Sequence, residues 1–225
     1  IPSSKDISGG EVLMELRDYY LKRIEELGIE VRLNTPVNRR VAVDFFPDVV
    51  VVATGAKVAK PSIPGADSQN VHGAWDILSN GDLTSVGTNV VVLGGGKVGL
   101  TVAEVLAQQG KKPVIVEPQK RDDLDVSMTF KWRHNTLVKQ LSIGVYTEAQ
   151  ALAIENGSVK IRDKDGAEKS LPADTVVLAG PLEPNQELVS ALEYFCDELY
   201  VVGDAMIPRS LYNAIHEGYK LGTRI

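Results

Sequence analysis

Cysteine is the scarcest chemistry in this sequence: 225 residues contain one, Cys196. A single thiol excludes an intramolecular disulfide, a CxxC redox pair and a thiolate set for an iron–sulfur cluster, and a reducing, cytoplasmic setting is expected. Histidine is almost as sparse, with three residues and no metal-ligand spacing, so no metal site is predicted. No Ser/His/Asp set or carboxylate pair stands out by spacing, and no side chain is assigned a catalytic role. Long apolar runs are missing too, since none approaches the roughly 18 residues of a spanning helix. Basic clusters are short and the net charge is −6, which argues against a nucleic-acid or anionic-membrane surface and leaves small molecules as the expected partners. Position 1 is Ile and no charged-then-apolar leader follows, so the start is expected to be an internal cut in a longer protein.

What is present is ordinary for a globular chain: 44% hydrophobic and 24% charged residues. The length allows one large domain or two interleaved ones, because a single domain commonly runs to roughly 100–150 residues. Ser8-Gly9-Gly10-Glu11 has capping-box spacing, and Val12, Leu16, Tyr19, Tyr20, Ile24 and Leu27 recur at helical intervals up to Gly28. Residues 29–33 read as a short strand, and the valine run of 48–52 reads as a parallel strand covered on both faces. Pro61, Pro64 and Gly65 mark a stiff linker into a second domain. Residues 90–93, 97–109 and 114–116 then form a strand–helix–strand unit, and 128–141 another helix. Asn156-Gly157 and Asp165-Gly166 supply turn chemistry for two successive hairpins, which predicts an antiparallel meander. Residues 174–179 read as a buried strand, 199–202 as another, and the neighbourhood of 211–219 as a helix. Tyr19, Tyr20 and Trp132 are expected to be packing residues.

The strongest chemical signal is Gly94-Gly95-Gly96-Lys97-Val98-Gly99, a G-x-G-x-x-G loop between a buried strand and a helix. Its glycines permit a tight turn, close backbone approach to a pyrophosphate and close helix–strand packing, while the helix N-terminus favours negative charge. Glu117 ends the next strand about twenty positions on, where an acidic side chain accepts hydrogen bonds from the adenosine ribose. The set predicts NAD(H); Lys120 and Arg121 are the cations that would instead favour NADP(H). A tight turn with a solvated carboxylate is the alternative for the same residues. Ala53-Thr54-Gly55 and Gly203-Asp204 stand at strand ends outside this unit, where open α/β sheets collect ligands, and Asp204 either accepts from a polyol or caps the next helix. His216 is read as an ordinary packed or partly exposed histidine.

The ordered segments ELGIEVRLNTPV, DVVVVATGA, PSIPGAD, VVVLGGGKVG, DTVVLAG and LYVVGDAMIPRSLYNAIHEG resemble the C-terminal half of NADH:flavin oxidoreductases related to 2,4-dienoyl-CoA reductase and trimethylamine dehydrogenase. The resemblance implies an α/β fold of glutathione-reductase type: a Rossmann-like three-layer NAD(P)H-type domain, residues 65–194, with an antiparallel β-meander. It would be inserted in a truncated FAD-type domain, residues 1–64 and 195–225, that lacks its first βαβ unit. By resemblance Ala53, Thr54, Gly55, Gly203 and Asp204 belong to the FAD side and Gly180 to the nicotinamide-nucleotide side. The resemblance further implies FAD in the full-length protein, and FMN with an iron–sulfur cluster in an N-terminal barrel outside this chain. Hydride would pass from nicotinamide to FAD, and electrons onward to an enoyl-type or amine substrate. An oligomer is compatible with this picture. A non-catalytic ADP- or dinucleotide-binding module is the alternative function, whereas thioredoxin-reductase-like chemistry needs the cysteine partner that Cys196 lacks.

Overall fold

The computed structural model describes residues 10–80, 83–120, 128–193 and 197–225. The capping box expected at 8–11 rests on Ser8 and Gly9, which lie outside the described residues, as do Arg121 and Cys196. In chain order the elements are α1 (Gly10–Glu26), α2 (Arg39–Phe45), β1 (Val49–Val52), β2 (Ala56–Val58), β3 (Val71–Gly73), α3 (Ala74–Asn80), β4 (Asn89–Leu93), α4 (Lys97–Gln108), β5 (Lys112–Glu117), α5 (Met128–Gln140), β6 (Gly144–Thr147), β7 (Gln150–Glu155), β8 (Ser158–Arg162), β9 (Glu168–Pro172), β10 (Thr175–Leu178), β11 (Leu182–Pro184), α6 (Glu187–Leu192), β12 (Glu198–Val201) and α7 (Leu211–Gly222). The chain divides into two compact units, one from Ile1–Ile29 with Val58–Pro181, the other from Glu30–Lys57 with Leu182–Ile225.

The first unit is built on a five-stranded sheet in the order β3-β10-β4-β5-β6, with parallel pairing throughout. Its central strand shows why the run of valines is there. Val90 and Val92 pack with Leu100, Leu106 and Ile115 on one side, while Val91 and Leu93 pack with Val116, Ile154, Val159 and Ile161 on the other. A strand buried on both faces needs a continuous apolar run rather than alternation. The first side is covered by α3 and α4, and the second by the antiparallel meander β7-β8-β9, giving three layers. The hairpin turns fall where Gly157 and Gly166 adopt φ of 82° and 81°, a region glycine enters without a Cβ clash. The linker at Pro64 and Gly65 is laid against the meander: the Ile154 N–H donates to Pro64 O at 2.8 Å. A Cβ on Gly65 would stand 2.0 Å from Ile154 O.

Two expectations for the N-terminal helix divide. α1 forms and stops at Gly28, φ 63°, as its periodicity implied. Tyr19 and Tyr20 meet edge to face at 5.4 Å but remain 58% and 42% exposed, and Trp132 on α5 is 69% exposed, so none of the three is a packing residue.

The second unit has two two-stranded sheets, β1-β12, which is parallel, and β2-β11. Val52 is buried at 1% exposure, but Val51 is 42% exposed, so β1 is covered on one face and not on both. Two strands alone supply too little neighbouring surface to enclose a central strand. Residues 29–33 do not form the expected strand: no ladder partner lies beside them among the described residues, and Ile29, Val31 and Leu33 are exposed. Alternating apolar residues make a strand only when a neighbour takes up their backbone hydrogen bonds.

Candidate functional site

In the first unit, β4 ends at Leu93 and the chain turns through Gly94 with φ 111°. The Gly94 N–H donates to Val116 O at 2.9 Å, continuing the β4–β5 ladder by one bond. A Cβ on Gly94 would lie 3.2 Å from the backbone of both Ala179 and Gly180, so the end of β10 closes against this corner. A Cβ on Gly99 would stand 1.9 Å from Gly94 O, because the first turn of α4 packs directly on the loop. Gly96 is the N-cap residue and has no side chain to cap with; the first helical bond runs from the Leu100 N–H to Gly96 O at 2.9 Å. The N–H groups of the first helical turn have no intrahelical acceptor, and at a glycine N-cap they face outward as donors for an anion. Val98 packs against the core, and Lys97 is exposed at the rim.

Glu117, the last residue of β5, is 8% exposed. Its Oε2 accepts from the Gly95 N–H at 2.6 Å and its Oε1 from the Gln119 N–H at 2.8 Å. Each carboxylate oxygen can take a second bond. A glycine loop that a Cβ would crowd at Gly94 and Gly99, a helix N-terminus without a capping side chain and a carboxylate at the neighbouring strand tip together fit a dinucleotide. The structure thus brings Gly94, Gly95, Gly96, Lys97, Val98, Gly99, Glu117 and Gly180 to one corner. Lys120 is exposed beyond β5.

Ala53, Thr54, Gly55, Gly203 and Asp204 belong to the second unit. The Thr54 hydroxyl donates to Asn185 O at 2.6 Å, and the Asn185 N–H donates to Gly55 O at 2.9 Å, fixing the end of β1 to the residue after β11. Thr54 also lines a crevice of about 450 Å³, with Asn38, Arg39, Asn185, Glu187 and Leu188. Across this unit's strand end the Gly203 N–H, φ 64°, donates to Glu217 Oε2 at 2.8 Å, and Glu217 Oε1 pairs with the Arg209 guanidinium. Asp204 Oδ1 accepts from the Arg209 N–H at 3.0 Å. It does not cap α7: that role falls to Ser210, in a capping box with Asn213. Asn185, Arg209 and Glu217 were not singled out by sequence reasoning. The Ser-x-x-Asn spacing is the signal that finds the cap, but nothing local announces Glu217. His216 is exposed and stacks on Tyr212 at 5.5 Å.

Away from both corners, Glu104 and His134 are buried together between α4 and α5, with His134 Nδ1 2.6 Å from Glu104 Oε1 and Arg133 at 3.5 Å. Among the described residues no group of three or more His, Cys, Asp or Glu is placed to hold a metal ion, and no helix is long and apolar enough to cross a membrane.

A parallel sheet ending in a glycine corner, with a second α/β unit wound from the chain on either side of it, defines the class: an α/β domain of the dinucleotide-binding type. The chain belongs to the pyridine nucleotide-disulphide oxidoreductase family, whose model matches residues 37–218. It is 33% identical to a bilirubin reductase of Mediterraneibacter gnavus, over 89% of this chain and 31% of that protein. It is 29% identical to a metal reductase of Desulforamulus reducens, over 94% of this chain and 36% of the relative. Among solved structures, a 2-naphthoyl-CoA reductase superposes with a TM-score of 0.87 at 34% identity, over 92% of this chain and 31% of its own. These matches bear out the resemblance to flavin oxidoreductases of the 2,4-dienoyl-CoA reductase type and the flavoprotein, NAD/FAD-type character of the domain. The chain spans about a third of the length of these relatives.

Proposed function

We propose that this chain is the nucleotide-handling part of an NAD(P)H-dependent flavin oxidoreductase, and that its first unit binds NAD(H) at the Gly94–Glu117 corner. The observation that carries the reading is the uncapped N-terminus of α4 behind Gly94, Gly95, Gly96 and Gly99, with the buried carboxylate of Glu117 at the adjacent strand tip. The diphosphate would be met by the N–H groups of the first turn of α4, at the positive end of its dipole. Gly180 would flank it from the end of β10. Glu117 would offer its remaining lone pairs to the adenosine ribose, and its charge would repel a 2′-phosphate, which favours NADH over NADPH. In this reading the NAD(P)H-type domain is 65–194 and the FAD-type domain 1–64 with 195–225, where Ala53, Thr54, Gly55, Gly203 and Asp204 would face the flavin nucleotide; the compact units divide instead at 57/58 and 181/182, with Ile1–Ile29 in the first.

When bound, a nicotinamide nucleotide and FAD would supply hydride and electron transfer, and by the resemblance an iron–sulfur cluster and FMN in a barrel outside this chain would serve an enoyl-type or amine substrate. The chain's own residues position and shield, and none need exchange a proton. Similarity to a bilirubin reductase and to a 2-naphthoyl-CoA reductase supports a reductase role.

Titration of NADH into the chain, followed by calorimetry, is expected to give saturable binding. Glu117→Ala should weaken it by about 1–2 kcal/mol, the worth of hydrogen bonds to a charged group. Absence of saturation at millimolar NADH would count against the reading.

A further inference from the structure

The carboxylate assigned to the ribose is already occupied before any nucleotide arrives. Glu117 Oε2 holds the Gly95 N–H at 2.6 Å, and Oε1 holds the Gln119 N–H at 2.8 Å. The side chain is 8% exposed, and hydrogen bonds to an ionised carboxylate are shorter and about twice as strong as neutral ones. The placement follows from the sheet. β4 and β5 run parallel with Leu93 opposite Val116, and the Gly94 N–H continues the ladder to Val116 O. For Gly95, one residue further on, the Glu117 side chain supplies the acceptor. A tie of this kind matters most where the backbone is freest, and it lands in a run of three glycines, each of which loses more conformational entropy on ordering than any other residue. Gly95 is the variable position of the motif and directly precedes Gly96, the glycine whose backbone approaches the pyrophosphate.

We infer that Glu117 is a positioning residue for the phosphate-binding loop: it holds Gly95 in place, and so contributes to nucleotide affinity through the diphosphate as well as through the ribose. The inference rests on the nucleotide reading above and deepens it. In that reading alone, Glu117 acts on the sugar hydroxyls, and removing those hydroxyls removes its contribution. As a loop tie it contributes whether the hydroxyls are present or not.

The test is a thermodynamic cycle on the whole chain. Wild type and Glu117→Gln are titrated calorimetrically with NADH and with the NADH analogue lacking the adenosine 2′- and 3′-hydroxyls. Glutamine keeps one acceptor oxygen for two backbone donors and sets an NH₂ against one of them, so one buried N–H loses its partner. The variant is expected to bind both ligands about tenfold more weakly, the loss persisting with the dideoxy analogue. A loss seen with NADH but absent with the dideoxy analogue would overturn the inference and leave the nucleotide site standing. No binding of either ligand to wild type would overturn both. Hydrogen exchange separates the tie from a general loss of stability. In ligand-free wild type the Gly95 amide is expected to be slow to exchange, and in the variant Gly95 and Gln119 should speed up while β4 and β5 stay protected. Fast exchange of Gly95 in the wild type would contradict the tie without use of any variant.

Discussion

Each unit contains a parallel strand that ends in glycine and leads to a helix, and the two corners finish in opposite ways. At the Gly203 corner the chain serves its own helix: Ser210 and Asn213 cap α7, Asp204 takes the Arg209 N–H, and Glu217 takes the Gly203 N–H and the Arg209 guanidinium. At the Gly94 corner α4 begins on a glycine that has no capping side chain, and the Glu117 carboxylate bonds the Gly95 N–H of the loop. A capped helix end has already given its donors to the protein, whereas an uncapped one behind glycines keeps them for an anion. A shared strand–glycine–helix order therefore does not make two equivalent sites. On the reading proposed above, what fills the first turn of the helix decides which of them would take a diphosphate directly.

The comparison can be broken by giving each corner the other's constraint. The largest effect is expected from Gly99→Ala, whose Cβ would meet the Gly94 carbonyl at 1.9 Å. Backbone must move to admit it, so urea unfolding should show a loss of about 3 kcal/mol, the upper range of overpacking, together with loss of NADH binding. Gly203→Ala meets Ala214, with its Cβ at 3.3 Å and its Cα at 3.7 Å, and holds φ 64°, so a loss of about 1 kcal/mol with NADH affinity intact is expected from the same measurements. Ser210→Ala removes the cap of α7 and should cost about 1 kcal/mol or slightly less, read as a lower urea midpoint and again with no change in NADH affinity. If either change in the second unit weakened NADH binding as Gly99→Ala does, the distinction between the corners would fail.

The smallest effect lies in the meander and depends on pH. The Lys169 ammonium, with the Ala167 and Asp165 N–H groups, holds the Asp163 carboxyl below its ordinary range. A depressed folded-state pKa gives stability that is present above the unfolded value and is lost as pH falls through the folded one. Amide protection factors in the β8–β9 hairpin, corrected for the intrinsic pH dependence of exchange, should therefore fall on acidification below the usual carboxylate range. In Asp163→Asn that fall should shrink, while protection at the Gly94 corner follows the same course in both proteins.

Much of the first unit was legible because its signals are local. The apolar run of β4, the glycines behind it, the helix after them and the turn pairs Asn156-Gly157 and Asp165-Gly166 each act within a few residues of where they stand. What escaped is the order in which expected strands such as β10 pair, and the elements that are short. β10 inserts between β3 and β4, which no local pattern discloses, and α2, α3 and α6 have only six or seven residues, too few for helical periodicity to register. Residues 29–33 alternate like a strand yet find no ladder partner among the described residues. At the candidate site, the glycines and Glu117 could be picked out as a pattern, and the structure draws them together with Gly180. The Glu117–Gly95 bond could not, because a carboxylate at a strand tip reads the same whether it faces solvent, a sugar or a backbone N–H. Glu217 was hidden for a related reason: its partners Arg209 and Gly203 lie 8 and 14 residues back along the chain, before α7 begins, and no motif links them.

Amide resonances of the chain followed through an NADH titration address the central claim most directly. The account predicts saturable shifts concentrated at residues 94–99, Gln119 and Gly180, with the amides of Gly203 and Asp204 unmoved. Shifts confined to the second unit, with residues 94–99 silent at saturation, would contradict it.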